Sequence, residues 1–228
     1  MARSSQARSG PGGDSAQRIL DVAERLVQTR GFNGFSYADI AEALDVTKAS
    51  LHYHFPTKAD LGKRLIERYE KTFLRLLEAI DATGAAPREK LKRYARIYAE
   101  VLRDNRMCLC GMLASDYATL PKSMKEEVKH FFDENERWLT ALLEQGRKAG
   151  GLGFKGSALE LARAMVGSLE GAMMLARSYG DACSSYRYRS PQTHARVAWD
   201  ILACRRSDLS AMQPFGRDGD MPTSAART

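Results

Sequence analysis

The stretch from 36 to 58, SYADIAEALDVTKASLHYHFPTK, constrains the fold more than any other part of the chain. Two short helical segments meet there with only Asp45 and Val46 between them. Ser36 precedes YADIAEAL and Asp39 follows three residues on, a variant of the capping box that opens a helix over Tyr37 to Leu44. Thr47 opens a second helix to His54, in which Leu51 and Phe55 share one face, and Pro56 breaks the chain. So short a turn between short helices holds the second at a steep angle to the first, the geometry of a helix-turn-helix. The face opposite Leu51 then presents Lys48, Ala49, His52 and Tyr53. This mixture of charge, small size and polar aromatics suits bases and phosphates. The plain alternative is a helical hairpin that only packs.

Helical spacing continues throughout. Ile19, Val22, Ala23, Leu26 and Val27 recur at i, i+3, i+4, i+7 and i+8, and Gly31 can end that helix. Thr57 can cap a long helix from Lys58 to about Ile80. Further helices are expected from about Arg88 to Arg103, through MCLCGM to about Thr119, from Pro121 to near Gly150, over 158–179, and over 193–205. No strand alternation or long repeat is visible. The expectation is an all-α fold of about nine helices, an N-terminal three-helix domain on a larger helical domain. Its divisions are an arm (1–14) without fixed structure, a helix-turn-helix domain (15–60), an effector-binding and dimerisation domain (61–206), and a polar tail (207–228).

Net charge is +7 and the isoelectric point about 9.3, which permits a nucleic-acid partner. The distribution tempers the signal. Residues 1–60 hold seven basic against seven acidic side chains, whereas 61–106 hold twelve against seven. The most apolar stretch, 158–176, is interrupted by Glu160, Arg163 and Glu170, so no membrane span is expected. The N-terminus has no apolar core of a secretory signal, and a reducing, cytoplasmic setting is inferred.

With GFNGFSYADIAEAL followed by VTKASLHYHFPTKADL, the chain resembles the TetR family of transcriptional regulators. The likeness is dense over 17–66, and beyond residue 80 it rests on helix layout. It implies a homodimer, built chiefly through the last two helices, that binds a palindromic operator in double-stranded DNA and responds to a small-molecule effector. By the same likeness Ser36 caps the second helix and touches phosphate, Thr47, Tyr53 and Lys58 contact phosphate, and Lys48, Ala49 and His52 are candidates for base readout. His54 is a phosphate contact or a packing residue. For the dimer surface, Leu169, Met173, Ala176, Val197 and Ile201 are expected. An alternative from another class is a helical protein–protein interaction module that binds no DNA.

A soft, aromatic set is the candidate effector lining: Cys108, Met112, Tyr117, Trp138, Met165 and Met173, although residues of these types at helical spacing are more often plain core. On a helix Cys108 and Cys110 point about 200° apart, which disfavours a shared metal or a local disulfide. Neither metal, cofactor nor enzymatic activity is expected. The run C-L-x-G resembles a segment of family members that respond to electrophiles, with Met107 and Met112 departing from that pattern. By that likeness Cys108 is a sensing thiol, with Arg103 and Arg106 near enough in sequence to favour a thiolate. Burial as inert packing is the alternative, and it is the reading for Cys110.

Overall fold

The computed structural model describes residues 11–179, and these form eight α-helices and one 3₁₀ turn. In chain order they are α1 (Pro11–Arg30), α2 (Tyr37–Leu44), α3 (Lys48–His54), α4 (Lys58–Ala82), α5 (Pro87–Arg103), α6 (Leu109–Ser115), a 3₁₀ turn (Tyr117–Thr119), α7 (Lys122–Lys148) and α8 (Ala158–Ser178). The helix expected over 193–205 lies outside the described residues. α1 begins inside the stretch expected to lack structure, with Asp14 in its first turn favourably placed against the helix dipole.

Local chemistry sets the ends of these helices. Ser36 and Asp39 close a capping box on α2, and Thr57 and Asp60 close another on α4. Thr47 caps α3 by accepting from the Ser50 amide, and Ser157 caps α8. Gly31 ends α1 at φ +80°, a left-handed conformation costly for side-chain-bearing residues. Asp45 takes the same region at φ 54° to end α2, and its amide bonds back to that helix.

One continuous apolar core joins all of this. α7, at 27 residues about 40 Å long, packs against both α4 and α8. α5 lies across α4, α7 and α8, while α6 fits between α1, α4 and α7. Phe73, Tyr94, Tyr98 and Phe131 form an edge-to-face aromatic cluster at the centre. The phenols of Tyr94 and Tyr98 sit 3.1 Å apart and share Asn135, which accepts from Tyr94 and donates to Tyr98, each at 2.9 Å. These three buried polar side chains thereby satisfy one another.

The cysteine segment departs from the expected single helix. Cys108 is the N-cap of α6, and the chain breaks at Asp116 before the 3₁₀ turn. Both thiols are free and buried.

Candidate nucleic-acid interface

α3 is held from behind and bare in front. Leu51 is fully buried and Phe55 nearly so, and the Tyr37 hydroxyl donates to the Phe55 carbonyl at 2.7 Å. Burial, and then the charge of Asp60, push the Tyr37 phenol up to about 12, so it stays a donor. The outward side presents Lys48, Ala49 and Tyr53, the last 85% exposed. Such a ring standing in water on a seven-residue helix adds nothing to the monomer's core.

Other expected contacts are already engaged. The Ser36 hydroxyl accepts from the Ala38 amide and donates to Asp39 at 2.8 Å, a bond that holds the Asp39 carboxyl below its usual range. His52 places Nδ1 3.0 Å from the Pro56 carbonyl, which requires the proton on Nδ1, and its ring lies 4.7 Å from that of Tyr37. Nε2 is left for an outside partner. His54 is half-buried, edge-on to Tyr53 at 5.2 Å.

Lys58 requires a correction. Instead of a phosphate-facing side chain, its ammonium turns inward and donates to the Phe32 and Phe35 carbonyls, each at 2.5 Å. It also lies over both rings, at 4.6 and 4.1 Å from their centroids. Burial lowers its pKa, against the opposing pull of Asp116 and Asp39. The loop after α1 ends in free carbonyls, and Lys58 is the donor that satisfies them.

That same loop is tied to α6. Asp116 accepts from the Phe32 amide at 2.8 Å and from the Asn33 amide at 3.4 Å, and the Asn33 side chain donates to Thr119. The Met107 amide donates to the Gln28 carbonyl, and Arg106 to the buried Gln28 side chain. From α8, Arg177 donates to the Thr29 carbonyl and approaches the Met112 sulfur at 3.6 Å. These bonds join α6 and the residues flanking it to the end of α1. Sequence reasoning missed Gln28, Asp116 and Arg177, because their partners are distant in the chain.

The expected effector lining scatters. Tyr117 is half exposed, under the Lys125 ammonium at 5.0 Å, and lines no interior. Met112 belongs to the α1–α6–α8 junction. Trp138 stacks on Tyr94 and donates to Asp81 at 2.8 Å, on the α4–α5–α7 side. Met165 and Met173 are buried core. Met173 and Leu169 have no exposed area in the single chain, so as dimer-surface residues they are corrected to internal packing. Ala176 is half-buried, and Val197 and Ile201 lie outside the described residues.

Cys108 meets Tyr69 and Glu170. The Tyr69 hydroxyl donates to its sulfur at 3.8 Å. Burial first, then the Glu170 charge, raise the thiol's pKa well above normal. Neither expected arginine reaches it, since Arg103 pairs with Glu100 and Arg106 with Asp104. Burial and a raised pKa both disfavour the thiolate of Cys108 in this conformation. Burial likewise moves the Glu170 carboxyl from 4.5 to about 7, against the opposing effect of a hydrogen bond from the Cys108 thiol.

A DNA-binding helix-turn-helix carried on a helical bundle defines a class of regulator, and the comparisons specify it. Residues 19–65 match the family model described as bacterial regulatory proteins, tetR family, and residues 87–190 match the tetracyclin repressor-like C-terminal domain. A transcriptional regulator of the TetR family from Agrobacterium tumefaciens is 32% identical with a TM-score of 0.75, covering 84% of this chain and 97% of that one. Transcriptional regulator AcuR of Cereibacter sphaeroides is 28% identical over 181 residues, 77% of this chain and 82% of AcuR. The HTH-type transcriptional repressor NemR of Escherichia coli is 25% identical over 173 residues, 72% of this chain and 84% of NemR. The chain belongs to the TetR family of DNA-binding transcriptional regulators, which are not enzymes.

Proposed function

We infer that this regulator is a homodimeric repressor of a palindromic operator, released when a small apolar or electrophilic effector enters its helical domain. The observation that carries the reading is α3, anchored by Leu51 and Phe55 with Tyr53, Lys48 and Ala49 bare in front. Tyr53 and Thr47 serve phosphate, while Lys48 and Ala49 read base edges. Two-fold symmetry sets the half-sites roughly 34–36 Å apart or a multiple of that. The division into residues 15–60 for DNA and 61–206 for effector and dimer belongs to the same reading.

For the dimer, the exposed side of α8 supplies Leu159 and Leu175, with open space where a side chain at Gly171 would stand. An electrophile reaches Cys108 only after α6 loosens, because the resting thiol is buried and protonated. NemR is named as a repressor, in keeping with this direction of control. A gel shift with the DNA flanking the protein's own gene tests the reading. A retarded complex competed only by that sequence is expected; unchanged mobility at micromolar protein would refute it.

A further inference from the structure

Among the described residues Glu170 is the one buried carboxylate with neither oxygen met by an N–H or O–H donor; only the weakly donating Cys108 thiol comes near enough to share a hydrogen with it. It projects from α8 onto α6, so close to Gly111 that a Cβ there would lie 2.2 Å from its Oε2. The groups facing it are neutral. α6 offers the Cys108 and Cys110 thiols, α4 the Tyr69 phenol, and α5 the Tyr94 and Tyr98 phenols. Those phenols are engaged elsewhere, Tyr69 with Cys108 and the other two with Asn135. The nearby cations on α8 are held by other partners: Arg163 pairs with Glu136 at 2.9 Å, and Arg177 reaches Thr29. An ionised carboxylate accepts about four hydrogen bonds, and leaving it unmet in a dry site is costly.

A cleft of about 420 Å³ opens beside it, between α6 and α8. Gly111, Ala114 and Gly167 keep it wide, Phe132, Val166 and Met174 give it apolar walls, and Ser115 and the Arg163–Glu136 ion pair line the rest. The missing partner of Glu170 is a positive N–H donor, and the walls fit an apolar chain. Phe132 adds an aromatic face on which a cation is favoured.

We propose that Glu170 anchors a binding site for a small organic ammonium compound with a short apolar tail, seated in the cleft between α6 and α8. The ammonium donates to the two carboxylate oxygens, and the tail lies against Phe132, Val166 and Met174. Gly111 leaves no room behind Glu170, so entry parts α6 from α8. That movement is passed to Asp116 and Met107, and so to the end of α1. This assignment rests on the effector-responsive reading above and names the ligand class for it.

Calorimetric titration of the full-length protein at pH 8 tests it, with butylamine, hexylamine and phenethylamine as probes. Hexanol and hexanoate supply a neutral and an anionic head on the same tail. At least one amine is expected to bind, with affinity falling tenfold or more in Glu170→Gln, while hexanol binds both forms alike or neither. An amine that binds Glu170→Gln as tightly as the wild type, hexanoate preferred over the amines, or no amine binding at all overturns the proposal. Circular dichroism and DNA binding by Glu170→Gln confirm that the variant is folded. The titration contains no DNA, so the two readings fail separately. Amine binding without operator binding would sink the regulator reading, and operator binding without amine binding sinks this one.

Discussion

Replacing Glu170 by Gln should stabilise the ligand-free protein, and by an amount that depends on pH. In the fold the carboxyl titrates at about 7 rather than 4.5, because burial strips water from its charged form. At 1.36 kcal/mol per pH unit that displacement is worth about 3 kcal/mol. Since the folded pKa is raised, the penalty is full above about pH 7. It shrinks as pH falls from 7 toward 4.5, where the folded state binds a proton that the unfolded state does not. Gln removes the charge but buries an unpaired amide, costing about 1–2 kcal/mol of the gain.

The pH dependence of the difference between the two proteins isolates the charge whatever the amide costs. Urea unfolding at pH 8 and pH 5, at one protomer concentration, should show Glu170→Gln gaining about 2–3 kcal/mol more over wild type at pH 8 than at pH 5. An equal difference at both values would mean that Glu170 is solvated or paired, and the reasoning about the unmet carboxylate would fall.

Three further outcomes follow from other contacts. Lys48→Ala should reduce the salt slope of operator binding by about 1 if Lys48 neutralises a phosphate, whereas an unchanged slope with altered base preference assigns it to base edges; no effect on either removes it from the interface. Asn135→Leu strands the Tyr94 and Tyr98 hydroxyls and should cost about 2 kcal/mol in chemical denaturation, with a loss under about 0.5 kcal/mol contradicting the shared network. Asp116→Ala should speed hydrogen exchange at the Phe32 and Asn33 amides without touching the middle of α7; unchanged exchange would show that α6 does not hold the α1 end.

The DNA-binding half was legible because its determinants are local. Ser36 with Asp39, Thr47 with Ser50, and Thr57 with Asp60 each close a cap within three residues, so the pattern of residue types already states the structure. Leu51 and Phe55 repeat at helical spacing and are found inside. What the sequence hides is where a long or polar side chain turns. Lys58 sits at a helix start, where outward and inward rotamers look alike in sequence, and only Phe32 and Phe35 decide between them.

α8 illustrates a second limit. It is apolar on more than one side, so nothing in its pattern tells that Leu169 and Met173 face the chain's own core while Met174 and Leu175 face out. Glu170 was visible only as an interruption of an apolar run. Its solitude depends on thiols and phenols contributed by α4, α5 and α6, and no window of the sequence contains them all. The arginines near Cys108 in sequence pair elsewhere, which reverses the charge expected around that thiol.

The most direct test of the central claim is a fluorescence anisotropy titration of a labelled duplex from the DNA flanking the gene, with wild-type protein and with Tyr53→Ala. Because Tyr53 is 85% exposed and outside the core, its removal should leave thermal unfolding unchanged while weakening DNA binding about tenfold or more. Equal affinities for the two proteins would show that α3 does not meet DNA through this face.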